Sequence, residues 1–464
     1  MIPIIRFILS QYQHDSIFTA NMDVHVVSKL DNNQHATFTL SEAPTPAKLA
    51  DSSIRVKTQL ISLTSNNLSY AAFGDVLKWW DAYPVSPSYP APYNDPSQWG
   101  IVPAWGFASI EESNIPELTP GTLLHGFWPT SSAPTDLKLQ ASEPSGNWVE
   151  ISEHRLQLMG FYNRYTVIKT SLPVSAILGS RNVSSHQDEL DRLGWLAHFQ
   201  AIWLAGYFLA RYVFPSHKEQ RPIHPFGDVA GVPWTKEDAD LSSAVVVSLS
   251  AAGKTARSFA YSFERRSKEN APLGFLQVTS AVEGLSQATQ SAAPPFPSKT
   301  IGYGDLSDEE LIQWIKDLGP SKFVILDFGA RDGALQRLLE TVKVKASLEA
   351  STIVIVQIGS QQKARSKSDI LTSMQELKTL AKIQYNTAGV VDSVIASQGA
   401  EALHTDLANA LEDFMSERHL SMPDLNLVWK DGVVGGDGIE GGWDLVCNGR
   451  IGANEAYVYR VQRA

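Results

Sequence analysis

The stretch Ser248-Leu-Ser-Ala-Ala-Gly-Lys-Thr255 has the composition of a loop that can hold an anion. Serine, alanine and glycine keep side-chain bulk low, which lets backbone N–H groups and the start of a following helix face a phosphate. Two motifs compete for it. Ser248, Ser250 and Gly253 occupy the three positions of the glycine fingerprint of dinucleotide-binding turns, with two glycines replaced. The same residues also read as a phosphate-cradling P-loop lacking only its first glycine, with Asp327 after Phe323-Val-Ile-Leu326 as a Mg²⁺-associated acid. A third reading is a strand-to-helix turn that binds nothing. The candidate phosphate set is Ser248, Ser250, Ala251, Ala252, Gly253, Lys254 and Thr255.

The flanking residues supply a strand and a helix to position that loop. Ala244 to Val247 form an apolar, mostly β-branched run suited to a strand covered on both faces. Ala256, Phe259, Ala260 and Phe263 fall at i, i+3, i+4 and i+7, one helical stripe facing a sheet. Four more strands are predicted over 274–280, 299–303, 322–327 and 352–358, with helices between most of them. Such alternation gives an α/β class fold with a doubly wound parallel sheet. The strand ends add Thr279, Ser280, Tyr303 and Gly359 to the candidate cofactor contacts. Ser307 with Glu310 predicts a capping box, Asp332 a helix start, 286–298 a surface insertion and 402–414 an amphipathic helix.

Upstream, Val24–Val27, Ala36–Leu40 and Ile54–Leu63 predict short strands on one side of a small barrel, joined by others over 102–113, 120–129 and 162–168. A short helix is expected over Ser65–Gly74, capped by Ser or Asn. The aromatic cluster from Trp79 to Phe107 suits either core packing, the commoner use, or the wall of a pocket for a flat apolar ligand. Residues 191–214 carry apolar residues along their whole length, among them Leu193, Leu196, Ile202, Leu204, Phe208 and Leu209, and read as one or two buried helices. His217 and His224, in a Pro/Gly-rich connector, have no acidic or sulfur partner at metal spacing and are expected at the surface. A strand over 456–461 is expected to return to the first domain.

A net charge of −11 disfavours nucleic acid as a partner. Cys447 is the only cysteine, which excludes an internal disulfide framework and fits a reducing, cytoplasmic location. Arg6 interrupts the apolar opening, and no uninterrupted run of 18 apolar residues occurs, so no membrane span is expected. Residues 1–21 are expected to be a disordered leader.

A barrel, linking helices, a nucleotide-type α/β domain and a returning tail resemble the medium-chain dehydrogenase/reductase superfamily, in particular a fungal and bacterial branch of unknown function. The residues that carry this are Leu63-Thr-Ser-Asn-Asn67, Tyr70, Gly74-Asp75, Trp79-Trp80, Tyr83-Pro84, Trp105-Gly-Phe107, Gly126-Phe-Trp-Pro129 and the Ser/Ala-rich loop ending in Lys254-Thr-Ala256. The resemblance implies a GroES-like barrel domain over 22–185 with the tail 425–464, and a Rossmann-type domain over 186–424. It turns the loop toward a nicotinamide dinucleotide. With Thr279 and Ser280 in place of an acid, it favours NADP(H), although no Arg or Lys follows in Ala281–Leu285. It also implies a zinc-independent reductase of an α,β-unsaturated carbonyl or quinone in secondary metabolism, with homodimers formed as in the superfamily.

In that reading Tyr70 polarises or protonates the substrate and Asn67 orients a carbonyl, while Asn66, Trp80, Tyr83 and Trp105 line a pocket for a small apolar or aromatic molecule. Helix capping is the competing role for both asparagines. A second tyrosine expected after Gly74 is replaced by Asp75. The alternative is a degenerate dehydrogenase-like fold doing non-redox cyclase, hydrolase or lyase chemistry on a polyketide-like substrate.

Overall fold

A computed structural model describes residues 22–40, 48–171, 173, 187–217, 219–228, 231–331, 333–348, 350–364 and 367–462. The expected leader and Asp332 lie outside the described residues. In chain order the strands are β1 (Met22–Ser28), β2 (His35–Leu40), β3 (Ser53–Ser62), β4 (Trp99–Gly100), β5 (Ala104–Ser113), β6 (Leu123–Trp128), β7 (Thr135–Ser142), β8 (Asn147–Glu150) and β9 (Arg164–Ile168). They continue as β10 (Ala244–Leu249), β11 (Gly274–Thr279), β12 (Ser298–Gly302), β13 (Lys322–Phe328), β14 (Thr352–Gly359), β15 (Ile383–Gln384), β16 (Asn426–Asp431) and β17 (Glu455–Arg460).

Strands β3-β5-β6-β9-β8-β7 pair antiparallel in that order, and β7 pairs back onto β3, which closes a six-stranded barrel. Closure leaves no exposed edge within the ring. β17 adds to β3 antiparallel and carries β16 with it, so the tail does return to the barrel sheet. β1 and β2 were expected in the barrel but instead form a separate sheet with β4. The reason is visible in β1: all seven of its residues are buried, so it packs on both faces rather than lining one side of a ring. β7 and β8 were not anticipated, although Leu137 and Leu139 alternate with exposed Asp136, Lys138 and Gln140.

The second sheet is wholly parallel, in the order β12-β11-β10-β13-β14-β15. This is the order of a doubly wound dinucleotide-type sheet, and it places β10 and β13 side by side where the winding reverses. The helix Lys254–Glu264 follows β10 and buries Ala256, Phe259, Ala260 and Phe263, the stripe read from the sequence. Phe263 packs on Phe275 of β11 at 5.1 Å between ring centroids. The architecture is therefore α/β, a GroES-like barrel beside a Rossmann-type sheet.

The helix Gln187–Phe208, continued by a π-type turn Leu209–Val213, lies between the two sheets. Contrary to the expectation from uninterrupted runs, this 27-residue segment is long and apolar enough to cross a membrane. Its apolar window is 78% buried inside the protein, as befits a core helix. Gly206 lets it approach the helix Lys254–Glu264, since a Cβ there would lie 2.4 Å from the Phe259 backbone nitrogen.

Other local expectations fail for identifiable reasons. The Ser/Ala-rich stretch expected as an insertion is largely the helix Val282–Ala292, whose small residues suit a crossover against the sheet. Ser307 does not cap: the helix Glu309–Leu318 starts at Asp308, and Glu310 pairs with Lys299 at 2.5 Å instead. His217 is exposed, but His224 is buried, with Nδ1 accepting from the Phe226 amide at 3.0 Å.

Candidate functional site

A cleft of about 270 Å³ opens at the carboxyl ends of the parallel strands, between that sheet and the barrel. Its floor is the loop after β10. Ser250 holds φ of +62°, the left-handed conformation for which a glycine is the usual choice. Ala251 N–H donates to Val278 O at 3.0 Å, tying the turn to β11. Gly253 then starts the helix Lys254–Glu264 and has no side chain to cap it. The first amides of any α-helix lack intrahelical acceptors, and here Lys254, Thr255 and Ala256 all border the cleft. The loop thus presents orphan N–H donors and the positive end of a helix dipole to the open space.

The walls come from seven further places. Thr279 and Ser280 end β11, Tyr303 follows β12, Phe328, Gly329 and Arg331 lie at and beyond the end of β13, and Ser360 to Gln362 follow β14. The barrel contributes Leu63 to Asn66, and the linking helix contributes His198 and Ile202. Gly449, Ile451 and Ala453 of the tail close one side. The Tyr303 side chain lies beside Ser250, and the Arg331 guanidinium stands 5.1 Å from the Tyr303 ring centre.

Lys254 is drawn into this structure. Its Nζ donates to Gly452 O at 3.2 Å, pinning the tail across the loop. Burial, and then the Arg257 guanidinium, lower its amine to about 8. Arg257 itself forms a two-pronged pair with Asp424, both contacts at 2.7 Å. His198 is buried, and burial followed by the Lys254 charge pushes its imidazole well below its ordinary value, so the ring is neutral.

Of the residues picked from the sequence, Ser250, Ala252, Gly253, Lys254, Thr255, Thr279, Ser280, Tyr303 and Asn66 meet at this cleft. Ser248, Ala251 and Gly359 do not line it. Ser248 lies within β10, and its buried Oγ has no hydrogen-bond partner among the described residues. Ala251 packs with Ala252 and Leu285. Gly359 closes an irregularity between β13 and β14, where a Cβ would lie 2.6 Å from Phe328 O.

The proposed catalytic and substrate residues of the barrel are placed elsewhere. Tyr70 is buried among Trp79, Phe127 and Tyr162, and its hydroxyl accepts from Trp105 Nε1 at 3.0 Å. Burial raises its phenol well above the ordinary range. Asn67 completes the helix start: Oδ1 accepts from Thr64 N at 2.7 Å and Nδ2 donates to Pro103 O at 2.9 Å. Thr64, rather than a Ser or Asn, is the cap of the helix Ser65–Ala72. Trp80 fills the space left by Gly74 and Gly100, Tyr83 donates to Phe127 O at 2.6 Å, and Trp105 belongs to the same core. These aromatic residues pack the barrel and do not reach the cleft.

The P-loop reading also fails on geometry. Asp327 accepts from the amides of Gly329 and Ala330 at 3.0 and 2.9 Å, so it shapes the turn after β13. It does not line the cleft. Sequence reasoning missed His198, Arg331 and the tail residues. His198 had a signal, a lone imidazole within the apolar run Leu193–Leu204 interrupted otherwise only by Gln200; Arg331 and the tail are brought in by topology alone.

Comparison with curated proteins gives no match. Among solved structures, the chain is similar to a mutant form of enoyl thioester reductase from Candida tropicalis, with 11% identity, a TM-score of 0.49, and coverage of 95% of this chain and 99% of that one. It is similar to CurA in complex with NADPH from Vibrio vulnificus, with 10% identity, a TM-score of 0.47, and coverage of 95% and 100%. It is also similar to Escherichia coli quinone oxidoreductase complexed with NADPH, with 12% identity, a TM-score of 0.45, and coverage of 94% and 99%. The family model described as protein of unknown function (DUF2855) matches residues 61–452, and the chain belongs to that family.

Proposed function

We propose that the protein is a zinc-independent, NADPH-linked reductase of an α,β-unsaturated carbonyl or a quinone. The observation that supports this best is the position of the cleft. It lies at the reversal point of a 3-2-1-4-5-6 parallel sheet, with the uncapped start of the helix Lys254–Glu264 as its floor. Dinucleotides bind at that point in such sheets, with their diphosphate on the helix start.

The residues present fit the cofactor. Gly253 keeps the first-turn amides uncovered, and a Cβ there would already lie 3.1 Å from Ser250 O. The Lys254 ammonium adds positive charge beside those amides. Thr279 and Ser280 at the end of β11 put no carboxylate where a ribose 2′-phosphate would sit. Arg331, stacked toward Tyr303, is a cation on the cleft wall suited to that phosphate.

When bound, NADPH supplies a hydride to the electron-poor carbon of the substrate, and a proton from solvent completes the reduction. The chain's part is to hold the dinucleotide against the barrel segment Leu63–Asn66 and to exclude water with the tail Gly449–Ala453. The test is NADPH oxidation at 340 nm in the presence of simple enones and 1,4-naphthoquinone. Substrate-dependent loss of NADPH that disappears in Gly253→Val supports the reading. Equal turnover in Gly253→Val would place the chemistry elsewhere.

A further inference from the structure

The linking helix carries one imidazole into the cleft wall, and its hydrogen bonding fixes what that ring can recognise. Ser62 Oγ donates to Tyr457 O at 2.8 Å, which uses its only proton. His198 Nδ1 lies 2.7 Å from the same Ser62 oxygen, so the proton in that bond belongs to Nδ1. A neutral imidazole with its proton on Nδ1 has a bare lone pair on Nε2. Nε2 is buried and has no partner among the described residues, on a side chain that lines the cleft. An unpaired buried acceptor is costly, and such a cost persists where a ligand removes it.

We infer that His198 Nε2 is a fixed hydrogen-bond acceptor that reads an O–H or N–H donor on the bound ligand, at the barrel side of the cleft. The adenosine end of a dinucleotide belongs near Thr279 and Ser280, and the diphosphate near Lys254 to Ala256. His198 lies within reach of the Lys254 charge and is tied to the end of β3 next to Leu63–Asn66, at the barrel wall of the cleft. Its donor is therefore either on the nicotinamide half, a carboxamide N–H or ribose O–H, or on the substrate beside the reducible group. The inference rests on the dinucleotide reading for the ligand, whereas the tautomer does not depend on it.

Two variants separate the ring's two nitrogens. In His198→Asn the side-chain amide can replace Nδ1 toward Ser62 while the cleft acceptor is lost; in His198→Gln the amide oxygen reaches the position of Nε2. Nitrogen-15 NMR of the wild-type full chain is expected to show a neutral His198 protonated at Nδ1 from about pH 6 to 8; an Nε2-protonated ring or a cation would overturn the inference. Calorimetry then compares NADPH with 2′-phospho-ADP-ribose, which lacks nicotinamide. If the donor is on the cofactor, His198→Asn weakens NADPH roughly tenfold, leaves 2′-phospho-ADP-ribose unchanged, and His198→Gln restores affinity. If the donor is on the substrate, NADPH binding is unchanged and KM rises roughly tenfold for 2-(hydroxymethyl)-1,4-naphthoquinone but not for 1,4-naphthoquinone. No effect of His198→Asn on either overturns the inference. Failure of the wild type to bind NADPH overturns the dinucleotide reading and the ligand assigned to His198, a result distinct from a wrong tautomer.

Discussion

Nδ1 of His198 lies 2.7 Å from the Ser62 hydroxyl, joining the linking helix to the last residue of β3 at the edge of the cleft. Ser62 is in turn bonded to Tyr457 of β17, so barrel, tail and linking helix meet at one buried polar contact. The cleft therefore has walls from both sheets held in register, which a dinucleotide spanning them requires. The following outcomes are expected of that arrangement.

Lys254 makes binding sensitive to alkaline pH. With its amine at about 8, it is charged below that pH and adds attraction for a diphosphate, and that attraction is lost as pH rises through 8. NADPH affinity measured by calorimetry is expected to fall roughly tenfold from about pH 7 to about pH 9. Lys254→Met should bind more weakly at neutral pH and show little pH dependence. An unchanged slope in the variant would remove Lys254 from the binding site.

Tyr70→Phe separates the core role of this hydroxyl from a catalytic one. Removing it leaves Trp105 Nε1 buried without an acceptor, at a cost of about 1 to 2 kcal/mol measured by urea denaturation. Turnover of the folded variant is expected to stay within about twofold of wild type, because the side chain does not line the cleft. A loss of a hundredfold in kcat would return Tyr70 to the chemistry.

Ser250 sits in the left-handed region, so its substitutions should rank by backbone freedom. Ser250→Val is expected to be about 1 to 2 kcal/mol less stable than Ser250→Gly, with Tm as the readout. Equal stability would mean that the turn adopts another backbone conformation in solution.

Gly206→Ala probes the contact between the linking helix and the helix that starts at the cleft. The added Cβ would lie 2.4 Å from backbone, which cannot yield as a side-chain tip does. A loss of about 1 to 3 kcal/mol is expected, together with weakened NADPH binding as the helix start is displaced. Wild-type stability would show that the helices part freely.

The parallel sheet was legible because its strands are short apolar runs separated by helical stripes, and Ala256, Phe259, Ala260 and Phe263 face where their spacing said. The loop at the floor of the cleft was legible as a tight strand-to-helix turn because its residues are small and a helical stripe follows them. The barrel site was not. Trp80, Tyr83, Trp105 and Tyr70 are aromatic residues near an expected active-site helix, yet they satisfy one another through ring contacts and hydrogen bonds within the barrel core. Composition cannot separate a wall from a core when both call for the same side chains. Likewise, Thr64 and Asn67 share one capping box that the sequence left divided among several Ser and Asn candidates. Arg331 and Gly449 to Ala453 reach the cleft only through sheet order and the returning tail, relationships between distant segments that local pattern does not carry.

Direct titration of the 464-residue chain tests whether the loop from Ser250 to Thr255 holds the diphosphate of NADPH. Fluorescence of NADPH is expected to change saturably with a Kd between about 1 µM and 1 mM, the usual range for enzyme ligands. NADH should bind more weakly, and Gly253→Val should abolish the response to both. No saturable change up to millimolar NADPH in the wild type would contradict the account.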